Sequence, residues 1–258
     1  MKVDIRSEAA KYYDLKPNFP LDVPFYQALI PSPQAAVLEL GCGAGRVTIP
    51  LARQCRFLQD LDLSPAMIQL CRMKLAEANI PPHQAVVSEG DITNFDFGQR
   101  FDLILASFRV LQNLETDEEV HGLLRCIGEH LEPSGTCVLN AFRPFYAPNE
   151  LRERWLAPGE RLNWEVTQGS GTVACYDRRW QLDEQQLVLY PDLVYRRYEG
   201  NILAEEVVLH LVMRCYYPET FEKVITAHGF RIVKRWGDYA GEAYGEGLEL
   251  VVQFQAGG

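Results

Sequence analysis

The chain has 258 residues, 47% of them hydrophobic and 23% charged, a balance that excludes a disordered polymer and allows one large domain or a core with an elaboration. Its 25 basic and 35 acidic side chains leave a formal charge of −10, which repels phosphate backbones and argues against a nucleic-acid partner. No run approaches 18 consecutive apolar residues, and the opening "MKVDIRSEAAKYYDLK" lacks an apolar signal region, so neither a membrane partner nor secretion is expected.

Seven scattered cysteines without a C-x-x-C pair suit the reduced thiols of a cytoplasmic protein and imply no metal site. Residues 1–30 read as mainly helical, broken at Pro17, Pro20 and Pro24. Short apolar runs then alternate with amphipathic stretches as far as residue 142: "AVLEL" (36–40), "FLQDLDL" (57–63), "QAVVSEGD" (84–91), "FDLILASF" (101–108) and "GTCVLNAF" (135–142). The helix after the second run has Ser64 as N-cap and Pro65 as first residue, and Asn79 with Pro81-Pro82 stops it. In the next helix Thr116 and Glu119 have capping-box spacing, and Val120, Leu123, Leu124, Ile127 and Leu131 make one apolar face. Such alternation predicts an α/β fold, a parallel sheet with right-handed crossovers and helices on both faces.

After Phe142 the pattern changes. Long β-type runs between turn-formers "GSG", "DEQ" and "EGN" predict an antiparallel meander over 143–217. The helix "PETFEKVITAHGF", stopped by Gly229, and two closing strands follow. The expected architecture is a Rossmann-like domain of residues 1–142 and 218–258, interrupted by a small antiparallel sheet, 143–217, that serves as a lid or substrate subdomain. The arginine pairs in "DRRW" and "YRRY" read as solvated strand edges.

The loop after the first strand, "VLELGCGAGRV", carries Gly41, Gly43 and Gly45, which let backbone approach a ligand closely. A pyrophosphate-binding G-x-G-x-x-G counted from Gly41 would need a third glycine where Arg46 stands, and Pro50 delays the helix that should follow. The loop therefore fits a bulky ligand other than a dinucleotide.

Seen whole, "VLELGCGAGRVTIPLA" resembles motif I of the class I S-adenosylmethionine-dependent methyltransferases, and "LDLSPAMI", "EGDIT", "FDLILAS" and "HLEPSGTCVL" resemble the family's later strand ends in order. The resemblance covers residues 34–142 and returns at 218–255. It implies a seven-stranded Rossmann-like sheet, S-adenosylmethionine as cofactor and S-adenosylhomocysteine as product. It also distributes roles. Asp62 accepts from the ribose hydroxyls, although Asp60 stands where the family usually carries glycine and leaves the choice between the two acids open. Leu63 and Met67 face adenine, Asp91 either takes its amine or serves as a turn residue, and Ile92 stacks on the ring. Glu39 lies near the amino-acid end, and Arg46 pairs either with the methionine carboxylate or with a surface acid. Tyr13, before Asp14 in the opening helix, covers the cofactor, and Ser107 closes the wall at the fourth strand.

For the acceptor side the sequence offers Arg109, either an anchor or a salt-bridge partner, and Gln112 on the same approach. It also offers His210, either a core histidine or a general base, and Tyr195, Tyr198, Tyr216 and Tyr217. The expected function is methyl transfer to an N or O nucleophile of a small molecule by a monomer or homodimer. The alternatives are a non-catalytic S-adenosylmethionine-binding regulator and a nicotinamide-dependent oxidoreductase.

Overall fold

The structure, a computed structural model, describes residues 6–17, 22–169 and 171–257. Two short helices open it, α1 (Ala10–Tyr13) and α2 (Val23–Gln27), and Pro20 of the expected breakers lies outside the described residues. Five strands follow in parallel: β1 (Ala36–Leu40), β2 (Phe57–Asp62), β3 (Ala85–Glu89), β4 (Phe101–Ala106) and β5 (Leu131–Phe142). Between them lie α3 (Thr48–Ala52), α4 (Pro65–Glu77) and α5 (Asp117–His130). The Ser64 hydroxyl accepts from the Met67 amide at 3.4 Å, and the Thr116–Glu119 capping box forms in full.

α6 (Leu151–Trp155) leads into a second, antiparallel sheet of β6 (Ala157–Gln168), β7 (Gly171–Asp183), β8 (Val188–Glu199), β9 (Ile202–His210) and the short β10 (Met213–Arg214). α7 (Pro218–Ala227), β11 (Phe230–Trp236) and β12 (Glu249–Ala256) return to the first sheet, whose order is β11-β12-β5-β4-β1-β2-β3. β12 is antiparallel to β5, so the sheet is mixed at one end.

Alternation along β1 explains the layers. Leu38 and Leu40 join a core with α5 and α7, while Val37 joins another with Ile68, Cys71 and Leu75 of α4. Glu39, next in phase with Val37, therefore points into the α4 side although it is 1% exposed. The second sheet has the same two-faced logic. Cys175, Tyr195, Val207 and Leu209 pack against Ala9 and Tyr12 beside α1. The opposite face carries the ion pairs Arg178–Asp192, Arg196–Glu160 and Arg196–Glu206, so the basic clusters are neutralised strand surface.

Candidate active site

The glycine loop is pinned to the end of β2. Gly41 donates its amide to the Leu61 carbonyl at 2.7 Å, and Gly43 donates to Asp62 Oδ2 at 2.8 Å. Gly41, Gly43 and Gly45 have φ of +74°, +54° and +81°. A Cβ on Gly41 would stand 2.5 Å from Val110 Cγ2, and one on Gly45 2.8 Å from Cys71 Sγ, so the cradle has room for backbone only.

Two hollows meet at this loop, sharing Arg6, Gly41, Val110 and Asn113. One, about 330 Å³, lies beyond the carboxyl ends of β2 and β3 and is walled by Asp62, Leu63, Asp91, Ile92 and Leu114. The other, about 150 Å³, has Tyr13, Glu39, Arg46, Ser107 and Phe108 on the loop side and Trp164, Tyr195 and Leu209 from the second sheet. Ligand sites of parallel α/β sheets lie at this end of the strands.

Asp62 is 4% exposed, accepts from the Ser64 amide at 2.9 Å as well as from Gly43, and still borders the larger hollow. Asp60 is fully buried behind the loop and lines neither, so of the two acids Asp62 faces the site. Asp91 holds the turn after β3 by accepting from the Thr93 amide and hydroxyl at 2.9 and 2.7 Å. In the smaller hollow Glu39 accepts from Thr48 Oγ1 at 2.8 Å and Ser107 Oγ at 3.1 Å. Burial outweighs those two hydrogen bonds and pushes its carboxyl up to about 7. Arg46 makes a bidentate pair with the buried Asp22 at 2.5 and 2.9 Å while its guanidinium lies 5.2 Å from the Phe108 ring centre. The pair and the cavity wall coexist in one side chain. Lys16 stands over the same ring at 5.1 Å; burial, then the neighbouring Arg109 and Arg46 charges, lower its pKa.

Three expectations need correction, and one alternative is decided. Met67 lies beneath the loop with Ala10 and Ala44 and lines the smaller hollow, because one turn past the helix cap its side chain turns back toward the loop, away from Leu63 and Ile92. Gln112 is consumed by backbone: Oε1 accepts from the Phe142 amide at 2.8 Å and Nε2 donates to the Arg214 carbonyl at 2.8 Å. Arg109 takes the salt-bridge alternative, paired with Glu249 2.5 Å away. His210 alternates with Leu209 and Leu211, which line the hollow, so its ring emerges on the solvent face, 69% exposed and 2.6 Å from Asp192. It is neither core nor substrate-facing. Of the four tyrosines, Tyr195 reaches the hollow, whereas Tyr216 joins the main core and Tyr217 caps α7.

The sequence reading missed Phe108, Val110, Asn113 and Leu114. Phe108 and Arg109 take φ of +53° and +68°, a reversal that bulky residues rarely adopt and no composition signal announces. The apolar spacing of Val110 and Leu114 was the only hint that this segment forms a wall.

A methyltransferase-domain family profile matches residues 37–135, which hold the glycine loop and the walls just described. That stretch of the chain is similar to a methyltransferase domain. Among relatives of this chain, the dTDP-3-amino-3,6-dideoxy-alpha-D-glucopyranose N,N-dimethyltransferase of Streptomyces fradiae is 24% identical over 227 residues, 84% of this chain and 78% of the relative. The dTDP-3-amino-3,4,6-trideoxy-alpha-D-glucopyranose N,N-dimethyltransferase of Streptomyces venezuelae is 28% identical over 127 residues, 49% of each chain. For most such relatives the matched part spans about half of their length. The CcbJ methyltransferase of Streptomyces caelestis shares the fold across 98% of both chains, at a TM-score of 0.77 and 23% identity.

Proposed function

We propose that this chain transfers a methyl group from S-adenosylmethionine to an amine nitrogen of a small, sugar-like acceptor, and that the second sheet forms part of the acceptor site. The observation that carries this reading is the pair of hollows joined at Gly41: one ends in a strand-terminal carboxylate, and the other is roofed by the inserted sheet. The cradle passes a chemical test for the cofactor, since a side chain at position 41 would fill the passage and the walls combine an acid with apolar faces.

When bound, the cofactor supplies an electrophilic methyl on a sulfonium, which departs as a neutral thioether. The protein's work is then alignment and exclusion of water. Asp62 would receive the ribose hydroxyls, using lone pairs not taken by the Gly43 and Ser64 amides, and Leu63 and Ile92 would flank the base. Glu39, when ionised, would sit beside the cationic amino-acid end, and Arg46 would meet its carboxylate from the Asp22-braced position. Trp164, Tyr195 and Leu209 would hold the acceptor's apolar face. The amino-sugar activity of the two Streptomyces relatives supports nitrogen over oxygen as nucleophile.

Calorimetric titration with S-adenosylmethionine, S-adenosylhomocysteine and NAD⁺ tests the reading, followed by an amino-sugar acceptor screen read as release of S-adenosylhomocysteine. Both sulfur compounds are expected to bind and NAD⁺ is not, and Asp62→Asn is expected to weaken them by at least about tenfold, the loss of one charge-assisted hydrogen bond. An unchanged affinity in a folded Asp62→Asn protein overturns the assignment of that residue, and NAD⁺ binding overturns the whole.

A further inference from the structure

The turn after β4 is held in a costly shape by side chains that line neither hollow. Phe108 and Arg109 both take left-handed φ, which bulky residues hold only when their surroundings impose it. Here a closed ring of polar contacts imposes it. The Arg109 amide donates to Asn140 Oδ1 at 2.9 Å, and the Asn140 side chain donates to Glu249 Oε2 at 3.1 Å and to the Tyr239 hydroxyl at 2.8 Å. Glu249 completes the ring by pairing with the Arg109 guanidinium. A backbone N–H can only donate, so the orientation of the Asn140 amide is fixed and both of its N–H groups are spent. Asn140 and Glu249 are buried, diagonal neighbours on one face of the β5–β12 pair, and they hold Arg109 by its backbone and its side chain at once. Further along the segment Gln112 is tied to the Phe142 amide and the Arg214 carbonyl. The segment held in this way presents two residues to the site. The Phe108 ring centre stands 5.1 Å from Lys16 Nζ and 5.2 Å from the Arg46 guanidinium, and the Val110 methyls fill the space that a Cβ on Gly41 would need.

We propose that Asn140 and Glu249 are positioning residues of the site: they keep the Phe108–Arg109 turn left-handed, so that the Phe108 ring backs Arg46 and walls the smaller hollow while Val110 stays against Gly41. Arg46 is then braced from two sides, by Asp22 through a bidentate pair and by Phe108 through its ring. Without the Asn140 carbonyl the Arg109 amide loses its acceptor, φ relaxes toward the negative values that an arginine prefers, and the preceding ring leaves the wall. The cost falls on the end of the cofactor that Arg46 meets. The adenosine end is walled by Asp62, Leu63 and Ile92, which the turn does not touch. This inference rests on the proposed placement of the cofactor's amino-acid end beside Arg46.

Two readouts on the full chain test it. para-Fluorophenylalanine is placed at position 108 by stop-codon suppression, and its fluorine resonance is recorded in the otherwise unaltered protein, in Asn140→Ala and in the milder Glu249→Gln. Calorimetry on the same variants compares S-adenosylhomocysteine with methylthioadenosine, which lacks the amino-acid end. The expected result is one narrow fluorine resonance that moves and broadens in both variants, with S-adenosylhomocysteine weakened about fivefold and methylthioadenosine less than about twofold. A merely structural role would lower Tm and weaken both compounds alike. An unchanged resonance in the folded variants, or equal weakening of the two compounds, therefore overturns the inference. Should Asn140→Ala fail to fold, Glu249→Gln carries the same comparison. If neither compound binds the unaltered protein, the methyl-transfer reading falls, and the fluorine spectra alone still decide whether Asn140 and Glu249 hold the turn.

Discussion

At the scale of single residues, two side chains near the loop make opposite kinds of demand. Gly41 is fixed by close approach: Gly41→Ala forces a methyl against Val110 at a positive φ, and we expect a loss of about 1–3 kcal/mol in urea unfolding. Glu39 is fixed by charge. Its carboxyl, at about 7, lies above its unfolded value, so Glu39 favours the folded state least once the pH has risen from about 4.3 through 7. A cation beside it reverses that balance. Affinity for S-adenosylmethionine, measured by calorimetry, is therefore expected to fall as pH drops through about 7, and Glu39→Gln flattens the profile. The groups facing Glu39 are Arg46, Asp22, Asp60 and Tyr13, and the pairing of Arg46 with Asp22 leaves the region short of free positive charge. Legibility in the sequence follows the same division. Gly41, Gly43, Asp62 and Asp91 were readable because close approach and strand-end acids have fixed spacing. Gln112 and His210 were not, since their roles depend on partners 102 and 18 residues away.

Among the elements, those with chemical end-signals were legible nearly to the residue: α4 between Ser64 and Asn79, α5 from its capping box, α7 up to Gly229. Replacing Thr116 by Ala removes one half of that box and should cost about 1 kcal/mol of stability, and because Glu119, the other half, borders the larger hollow, cofactor affinity should weaken with it. Melting curves and titrations of one preparation check both halves. The antiparallel strands were legible from alternation and turns, but their destination was not. Period two says that β9 has two faces; only the docking of α1 against Tyr195 and Leu209 says which one looks into the site.

For the whole molecule, the parallel strands were legible from alternation of strands and helices and the family resemblance supplied the sheet's strand number, seven, whereas the antiparallel β12 was not read from the sequence. What joins the two sheets at the site is small. α1 is four residues long, too short to hold itself helical, and its order comes from what it touches. Tyr12 stacks on Tyr195 at 5.3 Å between ring centres and donates to Glu205 at 2.5 Å, Lys11 pairs with the same glutamate, and Asp14 meets Lys74 of α4 at 2.6 Å. Tyr13 of the same turn lies over the glycine loop, its hydroxyl 3.6 Å from where a Cβ on Gly43 would be.

A door made this way has no hinge. An opening of α1 would run through local unfolding of a single helical turn rather than through domain motion. Amide exchange should find residues 9–14 among the first to open in the free protein and slowed once S-adenosylhomocysteine is bound. Tyr12→Ala, which removes the stacked ring, should erase that difference and speed product departure. Turnover would then be governed at its last step by how often one tyrosine lets go of another.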